Sequence, residues 1–290
     1  SMRQARHLAF VQRALGTVDP DVLNVAVKQL HVCMRKLWKV VKWDNLLKEV
    51  YWRMTVDGLP TAARMHHADS KCLCGSVCPG LQHHFWDCPI ASAVVEVMLS
   101  QLSGAWCTRT PGSSPLTRQH VWLMQPPAGP TALHRMTWLV VCLAAINAMD
   151  SGRKAANTLQ QRVRAQHAAA VAALQPRAAP ARPEDQPPIT NFLQAAEPTA
   201  EQQQHNAAVQ QHRQQQLEAN LQQLAQQQQQ QAARMLQEAK DLAVAEFWKL
   251  VADFVILNPC PARGFDTLPH AHPFMCLDPA TNLLQLAPRL

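Results

Sequence analysis

The seventeen residues from Cys72 to Cys88 read CLCGSVCPGLQHHFWDC and contain four cysteines and two adjacent histidines. A structural zinc ion takes four Cys or His ligands, commonly as two short-range pairs separated by a loop. Cys72 and Cys74 offer one pair, and His83 with Cys88 offers the other. Gly75 beside a ligand eases a tight loop around a metal. The stretch therefore predicts one structural Zn2+ ion that holds the surrounding fold together.

Two more side chains in this stretch are alternative ligands. Cys78 forms a C-x3-C pair with Cys74, and His84 forms an H-x3-C pair with Cys88. A redox site is a weaker interpretation, because the first pair is C-x-C rather than C-x-x-C and no βαβ pattern surrounds it. A catalytic zinc is weaker too, because no H-x-E motif supplies an acid or base.

Helical patterns flank the cluster on both sides. Upstream, apolar residues recur at steps of three and four, the spacing of one helix face. This apolar stripe consists of Leu23, Val27, Leu30, Met34, Leu37 and Val41. A second helix is predicted from Asp44 to about Val56, and PIASAVVEVMLSQL after Cys88 resumes the helical period. A single Tyr among 290 residues argues against an all-β protein. We predict a mainly α fold, an irregular helical domain with a small CCHC zinc knuckle.

Charge suggests the kind of partner. The net charge is +7, and twelve Lys or Arg face six Asp or Glu between Ser1 and Lys71. A basic domain indicates a polyanion partner, usually nucleic acid. Within the first long helical pattern, the basic residues that share one face and could follow a phosphate backbone are Lys28, Arg35, Lys39 and Lys42. The alternative interpretation of this row is a solvated helix face.

A longer sequence context leads to a resemblance. YWRMTVDGLPTAARMHHADSKCLCG followed by HHFWDCPIASAVV resembles the zinc-binding region that follows the reverse transcriptase domain in LINE-type, non-LTR retrotransposon polyproteins, including versions from green-algal genomes. The resemblance covers residues 51–95. The matching positions are Trp52, Arg53, Gly58, Leu59, Pro60, Thr61, Arg64, Cys72, Cys74, His83, Phe85, Cys88 and Pro89. It implies that the zinc ligands are Cys72, Cys74, His83 and Cys88, although the family usually has C-x2-C where this chain has C-x-C.

The resemblance also implies a function. In the family this region is linked with binding element RNA or target DNA, so we expect a nucleic-acid partner, with Arg53 and Arg64 among the phosphate contacts. Tyr51, the single tyrosine, is followed by Trp-Arg-Met rather than by a polymerase Tyr-x-Asp-Asp motif. No endonuclease signature, phosphate loop or nucleophile–base pair stands out. We therefore predict no enzymatic activity and no small-molecule substrate for this chain.

Composition divides the chain into four parts. We predict a helical zinc-binding domain over 1–157, a disordered Ala/Pro-rich linker over 158–200 and a Gln-rich helix over 201–231, where sixteen residues are glutamine. The fourth part, 232–290, reads as an amphipathic helix and a Pro-rich tail that packs back on 1–157. A scaffold that recruits protein partners, with a purely structural zinc, is the second hypothesis for this organisation.

The linker contains a short motif of its own. QPPITNFL resembles the PIP box, the peptide that docks on the sliding clamp PCNA, and the residues that carry the match are Gln186, Ile189, Phe192 and Leu193. Such a peptide inserts aliphatic and aromatic side chains into an apolar pocket. Leu193 departs from the second aromatic of the pattern.

Location follows from what the sequence lacks. No secretory signal is recognisable, and the apolar segment Met136 to Met149 is too short to span a bilayer. We expect an intracellular protein, nuclear rather than cytoplasmic, with no membrane partner.

Overall fold

Helices dominate the computed structural model of the chain, which describes residues 2–66, 70–106, 116–126, 135–174, 200–257, 275–277 and 284–286. The helices are α1 (Met2–Leu15), α2 (Pro20–Val40), α3 (Asn45–Thr55), α4 (Pro89–Trp106), α5 (Arg118–Trp122), α6 (Arg135–Leu174) and α7 (Ala200–Leu257). A π-helical turn covers His83–Asp87. Two three-residue strands, β1 (Met275–Leu277) and β2 (Leu284–Leu286), pair antiparallel, with Cys276 opposite Gln285. The mainly α prediction is confirmed.

Local capping explains where α2 and α3 begin. The Asp19 carboxylate accepts a hydrogen bond from the Asp21 amide at 3.0 Å, and Pro20 occupies the first turn. Asp44 accepts from the Leu46 amide at 2.9 Å and starts α3 in the same way. The predicted apolar stripe of α2 is buried. Lys42 lies beyond the end of α2, in its connection to α3, because the backbone turns extended at Val41.

The short helix α5 lies at the centre of the core. Trp122 is fully buried, and its indole stacks on Phe10 with ring centroids 5.4 Å apart. The Tyr51 hydroxyl donates to the Trp122 carbonyl at 2.8 Å, and the Trp122 indole donates to the Phe85 carbonyl at 3.1 Å. A five-residue element thus joins α1, α3 and the π-helical turn through aromatic contacts and hydrogen bonds.

Close packing of α6 against α4 and α7 centres on a glycine. A methyl group added at Gly152 would lie 2.7 Å from Ile90 Cγ2 and 2.8 Å from Ala243 Cβ. Carbon atoms normally approach to about 3.5–4.0 Å. Gly152 is therefore required by space rather than by backbone conformation.

The described chain forms two compact units. One contains the described residues of Ser1–Thr158 and Leu236–Leu290, and the other is Leu159–Met235. In the first unit Phe254 of α7 packs edge-on against Trp43, with ring centroids 5.1 Å apart. The second unit contains the end of α6 and the Gln-rich start of α7. Within the described ranges, none of the helices combines the length and the apolar character needed to cross a membrane.

Two element boundaries differ from the sequence prediction. Helix α6 continues to Leu174, inside the range 158–200 predicted as a disordered linker. Ala, Gln and Arg are good helix formers, and the first proline after α6 is Pro176, so nothing stops the helix earlier. Helix α7 joins the predicted Gln-rich and amphipathic segments into one continuous helix of 58 residues.

Candidate metal centre

A tight loop positions the first two cysteines. Residues on either side of it pair through a bridge between Lys71 and Val77. Inside, the Cys72 amide donates to the Ser76 carbonyl and the Gly75 amide donates to the Cys72 carbonyl, both at 2.9 Å. Gly75 has a φ of 91°, a left-handed conformation that favours glycine. This turn brings Cys72 and Cys74 together although their spacing is only C-x-C.

The π-helical turn His83–Asp87 positions the second pair. The Cys88 amide donates to the His83 carbonyl at 2.7 Å, which closes the wide turn between the two residues. Helix α4 then starts with Pro89, and the Cys88 carbonyl accepts from the Ser92 amide at 2.9 Å. The turn is anchored in the core because the Phe85 side chain is fully buried. The histidine–cysteine pair therefore stands on rigid elements.

The ligand atoms of four residues converge. The Sγ atoms of Cys72, Cys74 and Cys88 and a ring nitrogen of His83 all lie within 4.8 Å of one another. Cys72 Sγ is 3.9 Å from Cys88 Sγ, and Cys74 Sγ is 3.4 Å from His83 Nε2. Tetrahedral zinc with ordinary bond lengths would require sulfur–sulfur edges of about 3.8 Å and sulfur–nitrogen edges of about 3.6 Å. The donor set and its spacing fit a four-coordinate metal ion.

The thiol pKa values reflect three sulfurs sharing one small space. A hydrogen bond from Cys88, supported by the Cys74 backbone amide, lowers the pKa of Cys72 to about 4. The same hydrogen bond to Cys72, together with burial, raises the pKa of Cys88, and burial raises that of Cys74. One thiolate is thus favoured at the expense of the others. A divalent cation among the sulfurs would remove this competition, because it stabilises every thiolate at once.

The two alternative ligands lie outside this group of four. Cys78 has a left-handed φ of 47° and closes the loop through its amide, which donates to the Ser70 carbonyl at 2.7 Å. His84 is buried, and its amide donates to the Gly80 carbonyl at 3.1 Å. Burial, with the positive charge of Arg153 as the second cause, lowers the pKa of His84 to about 3. The structure therefore brings together the four ligands that the resemblance implied.

A buried ion pair lies behind the cysteines. Arg153 Nη2 is 2.7 Å from Asp150 Oδ1, and the two residues are 7% and 2% exposed. Arg153 Nη1 also donates to the Pro60 carbonyl at 3.2 Å, and Lys154 Nζ lies 2.7 Å from Asp150 Oδ2. A small cavity is lined by Arg153 together with Cys72, His84 and Cys88. Sequence reasoning missed this support, because nothing in MDSGRKAA indicates which residues of α6 lie next to the cysteines.

The two arginines predicted to contact phosphate form hydrogen bonds to a loop of their own chain. Arg53 Nη2 and Arg64 Nη1 both donate to the Gly58 carbonyl, at 3.4 and 3.1 Å. Arg53 also lies 4.0 Å from Glu49. The Gly58 amide donates to the Arg53 carbonyl at 2.6 Å and ends α3. The two arginines therefore stabilise the Gly-Leu-Pro-Thr loop, and their contact with phosphate stays a prediction.

The four basic residues predicted to form one row on α2 do not all lie in the same surface depression. Lys28, Arg35, Lys39 and Lys42 are all exposed. Arg35 and Lys39 line an open groove of about 1140 Å³ between α1, α2 and α3. Lys28 lines a separate depression of about 420 Å³. Sequence periodicity placed the cations on one helix, but it contained no information about the groove beside them.

Comparisons with known proteins found no match: no protein-family model, curated protein or solved structure is similar to the chain.

The segment that resembles a PIP box lies outside the residues that the structure describes. Its residues are Gln186, Ile189, Phe192 and Leu193.

Proposed function

We propose that the chain is a zinc-stabilised nucleic-acid-binding module derived from a LINE-type retrotransposon, and that it acts by binding rather than by catalysis. The observation that supports it best is the convergence of Cys72, Cys74, His83 and Cys88 within 4.8 Å. Three cysteines and one histidine are a donor set typical of structural zinc. The metal would supply folding free energy by holding the loop to the start of α4.

The second support is the coupling between the cysteines and the rest of the resemblance. The Gly58 carbonyl accepts hydrogen bonds from Arg53 of the Trp-Arg segment and from Arg64 of the Thr-Ala-Ala-Arg segment. The Pro60 carbonyl accepts a hydrogen bond from Arg153, which lines a small cavity together with two of the cysteines. The residues that carry the resemblance therefore stabilise one another around the candidate metal centre. This arrangement explains why a Gly-x-Leu-Pro-Thr segment and a Cys/His cluster would occur together.

Nucleic acid is the proposed partner because exposed cations cover α2 and its C-terminal connection. Lys28, Arg35, Lys39 and Lys42 add four positive charges to a chain with a net charge of +7. Neutralising four phosphates of duplex DNA would give a slope of about −3.6 in log K against log salt. We propose that the partner is element RNA or target DNA and that binding takes place in the nucleus.

Metal analysis with binding measurements tests this function. Purified protein should contain one zinc ion per chain, and Cys88→Ser should lose it. Cys78→Ser is the matched control, because Cys78 lies in the same loop outside the cluster, and it should keep the metal. Fluorescence anisotropy with labelled RNA and DNA over a salt series should show a steep loss of affinity. Absence of zinc, or affinity independent of salt, would refute the proposal.

A protein-interaction scaffold is the second candidate. It is favoured by α7, a 58-residue helix whose first part, up to Met235, belongs to the second unit and exposes glutamines such as Gln222 and Gln226. On this hypothesis the zinc is purely structural and PCNA is one partner. Zinc without nucleic-acid binding, together with retention of the chain on immobilised PCNA that Ile189→Ala/Phe192→Ala abolishes, would establish it.

A further inference from the structure

We propose that the groove between α1, α2 and α3 binds single-stranded nucleic acid, with bases stacked on Trp38 and Trp52 and phosphates held by Arg3, Arg35 and Lys39. This inference rests on the proposed nucleic-acid-binding function and names the site and the form of the ligand. The groove has a volume of about 1140 Å³, and α1, α2 and α3 each contribute to its lining. It is remote from the metal ligands in sequence and shares no lining residue with them.

Charge in the groove favours an anion. Arg3, Arg35 and Lys39 line it, whereas Glu49 is the acidic residue among its lining. None of these three cations forms an ion pair with an acid in the part of the chain that the structure describes. Glu49 is itself 4.0 Å from Arg53. The groove therefore has a surplus of cations that are available to phosphate groups.

Two indole rings in the groove favour bases. Trp38 is 43% exposed and Trp52 is 36% exposed. Burying such large apolar side chains would stabilise the folded protein, so their exposure indicates a surface that a ligand could cover. Stacking of a base on such a ring is tolerant of sequence, because every base has a π face. The Lys48 ammonium lies 5.6 Å from the centroid of the Trp38 ring, and Lys48 is itself 3% exposed. This cation–π contact holds the ring in place before a ligand arrives.

A buried histidine, His7, also lines the groove. His7 is 2% exposed, and its Nδ1 lies 2.9 Å from His31 Nε2. The other ring nitrogen, His7 Nε2, has no hydrogen-bond partner in the described part of the chain. Burial, with the charges of His31 and Arg3 as further causes, lowers the pKa of His7, so the ring is neutral at pH 7. A neutral His7 adds no positive charge to the groove, so the attraction for phosphate comes from Arg3, Arg35 and Lys39.

Single strands fit this combination better than the other anionic polymers. In a duplex the base faces are stacked on each other and are not available to Trp38 and Trp52. An acidic peptide would satisfy the cations, but it would leave both indoles without a stacking partner. Cations interleaved with exposed aromatic rings are the usual composition of single-strand binding surfaces.

Anisotropy with labelled oligothymidylate of about 10 nucleotides, a length in the range of known single-strand sites, tests the groove. The full zinc-loaded chain is used, with a duplex of the same length as the second probe. Trp38→Ala/Trp52→Ala should raise the Kd for the single strand at least about tenfold. It should change the Kd for the duplex by less than about twofold. Leu46→Ala is the matched control, because Leu46 lines the groove without a π face.

Charge variants test the phosphate contacts separately. Arg35→Ala/Lys39→Ala should reduce the salt slope for the single strand by about 1.4, since each phosphate contact contributes about 0.7. Lys36→Ala is the control on the same helix, because Lys36 is exposed and lies outside the groove lining. If the Ala variants of the tryptophans fold poorly by circular dichroism, Trp38→Leu/Trp52→Leu keeps apolar bulk and removes the π faces.

The outcomes separate this inference from the proposed function. If the wild type binds neither probe, the proposed function fails and the groove assignment fails with it. If the wild type binds oligothymidylate but the tryptophan variants bind it equally well, the groove assignment alone is refuted. If polyglutamate binds the wild type and loses affinity in the same variants, the groove takes an acidic peptide, and single-strand recognition is refuted.

Discussion

Replacing Gly152 by alanine tests how α6 packs in the first unit. The added methyl would lie 2.7 Å from Ile90 Cγ2 and 2.8 Å from Ala243 Cβ, about 1 Å inside normal carbon contact. Overpacking of this kind costs about 1–3 kcal/mol. The same substitution gains about 1 kcal/mol of helix propensity. The difference is a net loss of about 0–2 kcal/mol in the free energy of unfolding, and we expect its upper end because two neighbours on different helices must move.

Urea unfolding of the zinc-loaded chain measures this loss. In a thermal melt of a chain of this size, each kcal/mol lost from the free energy of unfolding lowers Tm by about 2–4 °C. Ser151→Ala is the control in the same turn, because Ser151 is only half-buried. Ala243→Gly removes one of the two obstructing methyls, so the double variant Gly152→Ala/Ala243→Gly should be more stable than the sum of the single effects predicts.

A different result would refute the packing of α4, α6 and α7. If Gly152→Ala stabilises the protein by about 1 kcal/mol, helix propensity acts alone and the position is open. If the double variant is strictly additive, Ala243 does not approach Gly152, and the end of α7 does not pack on α6 as the structure describes.

Three further changes give measurable effects. Tyr51→Phe should cost about 1–2 kcal/mol in urea unfolding, because a buried Trp122 carbonyl loses its 2.8 Å hydrogen bond. Arg153→Met should cost about 3 kcal/mol, because the buried Asp150 carboxylate loses two hydrogen bonds from Arg153 and keeps its contact with the exposed Lys154. Lys154→Met should cost less than about 1 kcal/mol, because Lys154 is exposed. The pKa of His7 is lowered from 6.5 by burial, so the unfolded chain binds its proton first, and stability falls as pH drops below about 6.5. His7→Gln should reduce that fall in a pH series.

Each of these predictions has an opposite outcome that counts against it. Equal stability of Tyr51→Phe and wild type would mean that another donor reaches the carbonyl. Similar losses for the two charge variants would contradict the burial of the Arg153–Asp150 pair. A pH profile unchanged in His7→Gln would assign the acid sensitivity to other groups.

Local chemistry made part of this fold predictable. The helix predicted from Asp44 to about Val56 agrees with α3 at Asn45–Thr55, because an aspartate cap and a following glycine act within a few residues. The four converging ligands lie within one seventeen-residue stretch, and the resemblance selected them from six candidates. Spacing alone did not exclude Cys78 or His84, since both stand at distances in sequence that zinc sites use.

The parts that could not be predicted depend on contacts between distant residues. Nothing in MDSGRKAA indicates that α6 brings Asp150 and Arg153 together as a buried ion pair next to the cysteines. Gly152 has a low intrinsic helix propensity, and only its contacts with α4 and α7 show that this position of α6 requires a residue without a side chain. The groove beside Arg35 results from the relative placement of three helices, which periodicity within one helix does not determine.

The five residues of α5 set the earliest point during synthesis at which α1, α3 and the π-helical turn can complete their shared contacts. Arg118 donates a hydrogen bond to the Ala14 carbonyl. Tyr51 donates to the Trp122 carbonyl, 71 residues later in the chain, and the Trp122 indole donates to the Phe85 carbonyl, 37 residues earlier. Contacts this far apart in sequence form slowly, because a long chain must close before they stabilise anything. A nascent chain that has emerged only as far as Trp106 thus leaves the apolar sides of α1 and α3 without their shared partner. We expect that interval of translation to be when the protein depends most on a chaperone.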